Sequence, residues 1–364
     1  METYDLSWLQ DDDGGEFNST ETFTDWNSTD WNTGEGMHVK LQAHQILNVL
    51  LYCLIVVLGV PGNAVVIWIT GFKMKRTVNS IWFLNLACAD LLCCLSLPFM
   101  MYKIIHDHHW PFGLYMCRVI HGFILLNMFC SIFLLVVISL DRFILVAKPV
   151  WCQNNRNTRC ASMLCLLVWV LSLLLTLPLF IHRREYKDHF SDKIICEPDF
   201  SYFGQNIQVA ELGIIIYQFL MGFLFPFGSI SVCHLFIFQR VTQNGRRFSN
   251  RSKKTMQVIS VVILTFFFCW LPYHIMNFLI AVTPSSSPWH FHLLNIKFFA
   301  VTLAYFNSCL NPLLYVCMGQ DFKEHVCKSL RSVMENFMND DLPSRSMATF
   351  TTKSSSISDR SAAL

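Results

Sequence analysis

Seven apolar stretches, each long enough to cross a lipid bilayer, fill most of this chain. A spanning helix needs about 20 apolar residues, whereas the strands of a membrane barrel alternate in polarity over about ten. The continuous runs therefore exclude a barrel. They predict an all-α membrane protein, a seven-transmembrane helix bundle with a short amphipathic cytoplasmic helix. The predicted spans are 45–70, 80–105, 115–147, 161–181, 208–238, 256–281 and 294–318.

The composition favours the same class. With 53% hydrophobic and 14% charged residues, the chain is too apolar for a soluble domain of 364 residues. We therefore expect no nucleic-acid partner. The N-terminus is polar and acidic rather than basic and then apolar, so the first span is expected to direct its own insertion.

Lysine and arginine predict the orientation. The loops after spans one, three and five are basic, with Lys75, Arg156 and Arg247 among their residues, whereas the loop after span six has no lysine or arginine. The positive-inside rule then places the N-terminus outside and the C-terminus in the cytoplasm. The loop after span four departs from this pattern, because it carries four basic residues beside five acids.

Outside the domain 45–318, residues 1–44 form a predicted disordered, acidic, extracellular tail. Asn18 and Asn27 in this tail begin glycosylation sequons. At the other end, residues 319–335 have the apolar spacing of an amphipathic helix on the inner leaflet, in contact with membrane lipids.

Two of the 15 cysteines face the outside, namely Cys117 at the top of span three and Cys196 in the loop after span four. The oxidising side of a membrane favours a disulfide between them. The sequence contains no zinc-type cysteine pairs, no P-loop and no catalytic constellation. We therefore expect no enzyme and no catalytic residues.

Nearly every span carries a polar or proline interruption. A charged side chain within a bilayer is costly unless it faces the bundle interior, so Asp90 and Arg142 are functional candidates. Packing would explain any single proline or tryptophan in a membrane helix. The whole set, to which nearly every span contributes in turn, indicates a functional polar core inside the bundle. Its members are Gly62-Asn63, Asp90, Asp141-Arg142-Phe143, Trp169, Pro226, Trp270-Leu271-Pro272, and Asn311-Pro312 with Tyr315.

On these motifs the chain resembles the rhodopsin-like G-protein-coupled receptors over residues 40–335. The strings at 73–79 and 109–113 resemble the chemoattractant peptide receptors, and 148–154 resembles the complement anaphylatoxin receptors. The short loop at 182–207 favours the component 5 branch over component 3. The resemblance implies a plasma-membrane receptor for a cationic anaphylatoxin, with chemotactic and inflammatory signalling through an inhibitory-type heterotrimeric G protein.

The resemblance also implies roles for single residues. Ligand-binding positions would be Trp110, Arg183, Gln218, Tyr273 and Lys297. A sodium pocket would comprise Asp90, Asn127, Ser131, Asn307, Ser308 and Asn311. Activation and G-protein coupling would use Asp141, Arg142, Phe143, Ile132, Pro226, His234, Phe266, Trp270, Pro272, Pro312 and Tyr315. The alternative to an internal Na⁺ is a protonated Asp90 within a hydrogen-bonded network.

The C-terminal region carries candidate modification sites. Cys327, in the predicted surface helix, is a candidate for palmitoylation. The tail 336–364 is predicted to be disordered, and its serines and threonines favour phosphorylation by receptor kinases and recruitment of arrestin. The candidate phosphorylation sites are Ser354, Ser355, Ser356 and Ser358.

Two ligand positions depart from the family pattern. The family's ligands end in an arginine, and its receptors usually carry an Arg where this chain has Gln218 and an Asp where it has Lys297. We hypothesise that Lys297 replaces the missing Arg as anchor for the ligand's carboxylate, which changes the preferred chemistry of the peptide end. The alternative is that Lys297 extends to the outer surface and contacts nothing important.

Two signalling positions also differ. Phe143 replaces the common Tyr after Asp-Arg, and His234 stands where a Tyr usually closes onto Arg142. Ser252 occupies a position where some members have an acid, so the off state is expected to depend on Asp141 and packing. These changes keep a decoy or arrestin-biased receptor, or one for another chemoattractant peptide, as alternatives. A secondary transporter is disfavoured because the spans show no internal repeat.

Overall fold

A computed structural model of the chain describes residues 42–188, 191–243, 250–284 and 286–318. For 241–243, 250–255, 258 and 314–318 it describes the backbone alone. Several predictions lie outside the described residues. They concern the tail 1–41, the surface helix 319–335, the tail 336–364, Asn18, Asn27, Cys327, Ser354, Ser355, Ser356 and Ser358.

The described residues contain seven helices that are long and apolar enough to cross a membrane, which confirms the predicted fold class. These candidate spans are Ala43–Lys73, Val78–Ile105, Gly113–Ala147, Thr158–Ile181, Ser201–Arg240, Ile259–Val282 and Pro288–Leu313. The sixth helix begins earlier, at Asn250, and the seventh continues to Met318. A further short helix, Pro149–Asn155, follows span three.

Polar caps explain why the spans begin earlier than the apolar runs predict. Thr77 precedes span two and accepts a hydrogen bond from the backbone N–H of Ser80, whose hydroxyl accepts in turn from the Thr77 N–H. Asn157 caps span four by accepting from the N–H of Cys160 (2.8 Å). These side chains satisfy backbone donors that a helix start leaves free, so the helix extends beyond its apolar core.

The fifth span is less regular than predicted. A 3₁₀ segment, Ser201–Asn206, leads into the helix Ile207–Phe219, which continues through a π-helical turn, Leu220–Leu224, into Phe225–Gln243. Pro226 lies directly after the π turn. Proline lacks the N–H donor and its ring crowds the preceding turn, and both effects favour a local change of helical pitch.

Spans one and two approach each other at a glycine. A Cβ atom on Gly59 would lie 2.5 Å from the Sγ atom of Cys94 and 3.4 Å from the Cβ atom of Cys309. Because small residues let helix backbones pack closely in membranes, Gly59 has a steric role at this crossing. Gly228, by contrast, has no atom within 4 Å of its added Cβ.

Gly59→Ala is therefore expected to lower the free energy of unfolding by about 1–3 kcal/mol, the usual cost of overpacking. Gly228→Ala is the matched control, with the same gain in helix propensity and no clash. The measurement is the thermal unfolding midpoint of the purified protein in detergent. A Cys94→Ala substitution should restore the midpoint of the Gly59 variant, and failure to restore it would contradict this assignment.

An antiparallel hairpin that the sequence did not predict covers one end of the bundle. Strand β1, Arg183–Lys187, pairs with strand β2, Ile194–Pro198. A disulfide joins Cys196 in β2 to Cys117 at the start of span three, with a Cα–Cα distance of 5.9 Å. We call this end of the bundle the hairpin end, and the opposite end, where Arg142 lies, the Arg142 end.

Candidate functional site

The side chain of Lys103 in span two anchors the hairpin to the bundle by hydrogen bonds. It is 8% exposed, and its ammonium group donates to the carbonyl oxygen of Cys196 (3.0 Å) and to Glu197 Oε1 (2.7 Å). Burial alone would raise the pKa of Glu197, but the charges of Lys103 and Arg183 outweigh burial and lower this pKa. Glu197 therefore stays ionised. Lys103 was not among the predicted site residues, although a charge in the last turn of an apolar span is a signal of a functional side chain.

Arg183 lies in β1 and carries a free hydrogen-bonding group. Its backbone carbonyl accepts from Arg118 Nε (3.0 Å), and its Nη1 atom is buried without a partner among the described residues. Burial lowers the pKa of this guanidinium, and Glu197 opposes that shift. Burying a hydrogen-bond donor without a partner costs free energy, so binding of an acceptor at Arg183 would be favourable.

Lys297 occupies the inner side of span seven. It is half-buried, and its ammonium group lies in electrostatic range of Arg183, Glu197, Glu211 and Lys103. None of the ion pairs within 4.0 Å found among the described side chains involves Lys297 or Arg183. The inner side of the hairpin end, which we call the mouth, thus brings together Arg183 and Lys297, two cations without an acid within 4.0 Å among the described side chains.

The other three predicted ligand-binding residues differ from Arg183 and Lys297 in burial and surroundings. Gln218 is buried in span five, and Tyr273 is half-buried in span six, in electrostatic range of Arg183. Trp110 is fully buried, and its indole N–H donates to the carbonyl of Gly113 (3.2 Å). Trp110 packs beside the disulfide and supports the hairpin, and it has no exposed surface for a ligand.

Five of the six predicted sodium-pocket residues form one buried hydrogen-bonded cluster, and the sixth, Asn307, is buried next to Ser308 in span seven. Asp90 Oδ2 accepts from the amide nitrogen of Asn311 (2.8 Å), which joins spans two and seven. The Asn127 amide suits its surroundings when its nitrogen donates to Asp90 Oδ1 (3.2 Å) and its oxygen accepts from Ser308 Oγ (3.0 Å). Ser131 Oγ then lies 3.1 Å from the Asn127 nitrogen.

This cluster has an excess of acceptor oxygens. The Oδ1 atoms of Asn63, Asn307 and Asn311 are buried without a partner among the described residues. Oxygen atoms are the ligands that hard cations prefer. The oxygen atoms around Asp90 are therefore suitable ligands for a small hard cation.

An aromatic path runs along span six from Tyr273 to Phe266. The ring of Tyr273 meets Trp270 edge to face at 5.6 Å, and Trp270 lies 5.9 Å from Phe266. Ile132 is fully buried in the same core. The prolines at 226, 272 and 312 all lie inside helices, and Pro312 approaches Gly62, whose added Cβ would lie 3.1 Å from it.

At the Arg142 end, Asp141 lies beside two arginines. Asp141 binds Arg156 through two hydrogen bonds, at 2.7 and 3.0 Å, and lies 3.4 Å from Arg142. Asn79 accepts from both arginines, Arg142 and Arg156. Arg142 is therefore held chiefly by Asn79. Neither Asn79 as the partner of Arg142 nor Arg156 as the partner of Asp141 was predicted from the sequence.

The substituted signalling positions join neighbouring spans. His234 in span five lies 3.5 Å from Ser139 Oγ in span three and 3.4 Å from Ser260 Oγ in span six. Phe143 packs edge to face against Phe236 at 4.8 Å. The side chains of Tyr315 and Ser252 lie outside the described part of the chain.

Comparison with known proteins identifies the family. The family described as 7 transmembrane receptor (rhodopsin family) matches residues 62–315. This chain belongs to that family. Its members are receptors rather than enzymes, and membership implies a multi-pass membrane protein with a ligand and a G-protein partner.

The chain is also similar to anaphylatoxin receptors over most of its length. It is 47% identical to C5a anaphylatoxin chemotactic receptor 1 of Danio rerio, over 79% of this chain and 82% of that protein. It is 47% identical to the C3a anaphylatoxin chemotactic receptor of Oncorhynchus mykiss, over 83% and 81%. Identity to the human C5a receptor 1 is 40%, over 85% and 87%. The chain is thus homologous to both branches.

Proposed function

We propose that this chain is a plasma-membrane receptor for a complement anaphylatoxin, with its hairpin end outside the cell. The observation that carries this proposal is a pair of cations, Arg183 in strand β1 and Lys297 in span seven, that have no close acid among the described side chains. A peptide's C-terminal carboxylate is the complementary group, because a carboxylate accepts charge-assisted hydrogen bonds from arginine and lysine. The 40–47% identity to C5a and C3a receptors supports the ligand class.

Binding would involve two sites. The acidic tail 1–44 would attract the cationic body of the ligand and speed its capture, since opposite charges steer association. The ligand's C-terminus would then enter the mouth and contact Arg183, Tyr273 and Lys297. Gln218, a buried amide, would contribute hydrogen bonds without charge.

The signal would pass along the aromatic path. Movement at Tyr273 would reach Trp270 and Phe266 through ring contacts, and would then release Arg142 from Asn79 at the other end. Arg142 would face an inhibitory-type G protein, and chemotactic signalling would follow. Phosphorylation of the serine-rich tail would recruit arrestin.

We further propose that Asp90, Ser131, Asn307 and Asn311 hold Na⁺ in the state described here. A buried carboxylate together with unpartnered amide oxygens supports this assignment. A bound cation would supply positive charge to Asp90 and connect spans two, three and seven.

The receptor expressed in cells is expected to activate an inhibitory-type G protein when challenged with C5a of its own species. We expect a weaker response to C3a, because the outer loop is short. The measurement is G-protein activation and arrestin recruitment in parallel. Arg142→Ala is the control, since it should still bind the ligand but should not activate the G protein.

The same assay separates the alternatives. Arrestin recruitment without G-protein activation would indicate a decoy, and His234, held between Ser139 and Ser260, would be the first residue to revert to Tyr. A response to C3a alone would overturn the branch assignment. If the receptor is present at the cell surface and responds to neither C5a nor C3a, the anaphylatoxin proposal is overturned.

A further inference from the structure

A groove of about 600 Å³ lies between spans two and four at the Arg142 end. Its wall includes Leu84 and Leu166, and Leu166 is 66% exposed on the outer surface of the bundle. In a membrane this opening would face lipid, away from the ligand mouth and from the polar cluster around Asp90.

Two arginines mark one end of this groove. Arg76 precedes span two, and Arg159 lies in the first turn of span four. Both are exposed, neither forms an ion pair among the described side chains, and the residues lining the groove include no acid. Arg156, only three residues before Arg159, is instead bound to Asp141. The positive charge at the groove is therefore available to an anion.

The groove has the length of one lipid leaflet. From Arg159 to Trp169, which closes the far end, span four rises about 15 Å at 1.5 Å per residue. Half of a bilayer's hydrocarbon core is also about 15 Å thick. The indole N–H of Trp169 donates to Asn85 (3.0 Å), and the hydroxyl of Ser162 donates to its own helix at the Thr158 carbonyl (3.0 Å). The interior thus offers few free polar groups.

We propose that this groove binds a phospholipid with an anionic headgroup from the leaflet at the Arg142 end. Its phosphate contacts Arg76 and Arg159, and one acyl chain lies along Leu84 and Leu166 toward Trp169. A second groove at the same end, of about 910 Å³, lies between spans five and six and is lined in part by His234 and Phe238. The described side chains that line it include no lysine or arginine. Among the described side chains, the cations that would select an anionic headgroup therefore line the first groove.

The test uses the full-length receptor in nanodiscs of phosphatidylcholine with a minority of phosphatidylserine, and native mass spectrometry counts the retained phosphatidylserine. Each arginine near a membrane surface contributes about 1 kcal/mol to anionic-lipid binding, so Arg76→Gln or Arg159→Gln should lower retention about fivefold. The double variant should lose about 30-fold. Both side chains are exposed, so the fold should tolerate these changes.

Lys75→Gln is the matched control, since it removes an exposed cation one residue from Arg76 that does not line the groove. Leu166→Trp keeps both charges and fills the groove, and it should also lower retention. An equal loss in the Lys75 variant would show diffuse surface attraction and overturn the proposal. Unchanged retention in the double variant, or retention of added cholesterol without preference for the anionic lipid, would overturn it as well.

Discussion

Replacing Lys297 by aspartate is expected to shift the receptor's preference toward an arginine-ended ligand, relative to its des-arginine form, by about 10- to 100-fold. In the native chain, Lys297 repels a ligand guanidinium and attracts a carboxylate. The substitution reverses both interactions. Hydrogen bonds to charged groups contribute about 1.5–3 kcal/mol, which sets the size of the shift.

The position of Lys297 supports this expectation. The side chain is half-buried and lies in electrostatic range of Arg183 and Glu211, so it faces the mouth rather than extending to the outer surface. Partial burial reduces the screening by water and salt that weakens exposed pairs. A ligand end that enters beside Arg183 would therefore meet the charge at position 297 directly.

Lys187→Asp is the control for this experiment. Lys187 lies in β1, its side chain is 67% exposed and paired with Asp192, and its substitution changes the net charge by the same amount. Competition binding with both ligand forms is the measurement. If Lys297→Asp and the native receptor discriminate equally between the two forms, Lys297 is not the carboxylate anchor.

The seven spans could be predicted because each one is encoded locally. A run of about 20 apolar residues has no stable alternative to a helix in lipid, where every backbone group must bond within the segment. The errors were confined to the ends, where Thr77 and Asn157 extend the helices, and to the π turn before Pro226. These details depend on side-chain hydrogen bonds and local crowding rather than on hydropathy.

The hairpin could not be predicted from local pattern. Its strands are five residues each, and β1 is mostly charged, so neither shows a clear alternation of apolar and polar residues. Tertiary contacts fix them instead, namely the disulfide from Cys196 to Cys117 and the ion pair from Glu197 to Lys103. Both connect residues far apart in sequence. The outward position of the two cysteines predicted the disulfide, but a single sequence gives no such signal for the ion pair or for the pairing of the strands.

The partners of Arg142 were missed for a similar reason. Sequence adjacency suggested Asp141, but that carboxylate is bound by Arg156, which the short helix after span three brings back to the bundle. Asn79, at the start of span two, then accepts from Arg142. A sequence motif thus predicts the residues of a site but not which of them pair.

Asp90→Asn is expected to abolish a sodium effect that the native receptor shows on agonist affinity. If Na⁺ binds the described state at Asp90, it connects spans that an agonist must move. By linkage, Na⁺ and agonist then weaken each other, typically by 1–3 kcal/mol, so sodium should lower agonist affinity by about tenfold. Asparagine keeps the hydrogen bond to Asn311 but removes the charge that a cation requires.

Agonist binding is measured across NaCl concentrations, with potassium chloride replacing sodium at constant ionic strength, so that general screening is held fixed. Ser96→Ala is the matched control, since Ser96 is buried in the same span, contacts Tyr305 (3.4 Å) and lies outside the cluster. The native receptor and this control should both respond to sodium. Equal affinity in the two salts for the native receptor would contradict a bound cation, and would favour a protonated Asp90 held by Asn311 and Asn127, whose charge is neutralised by a proton instead.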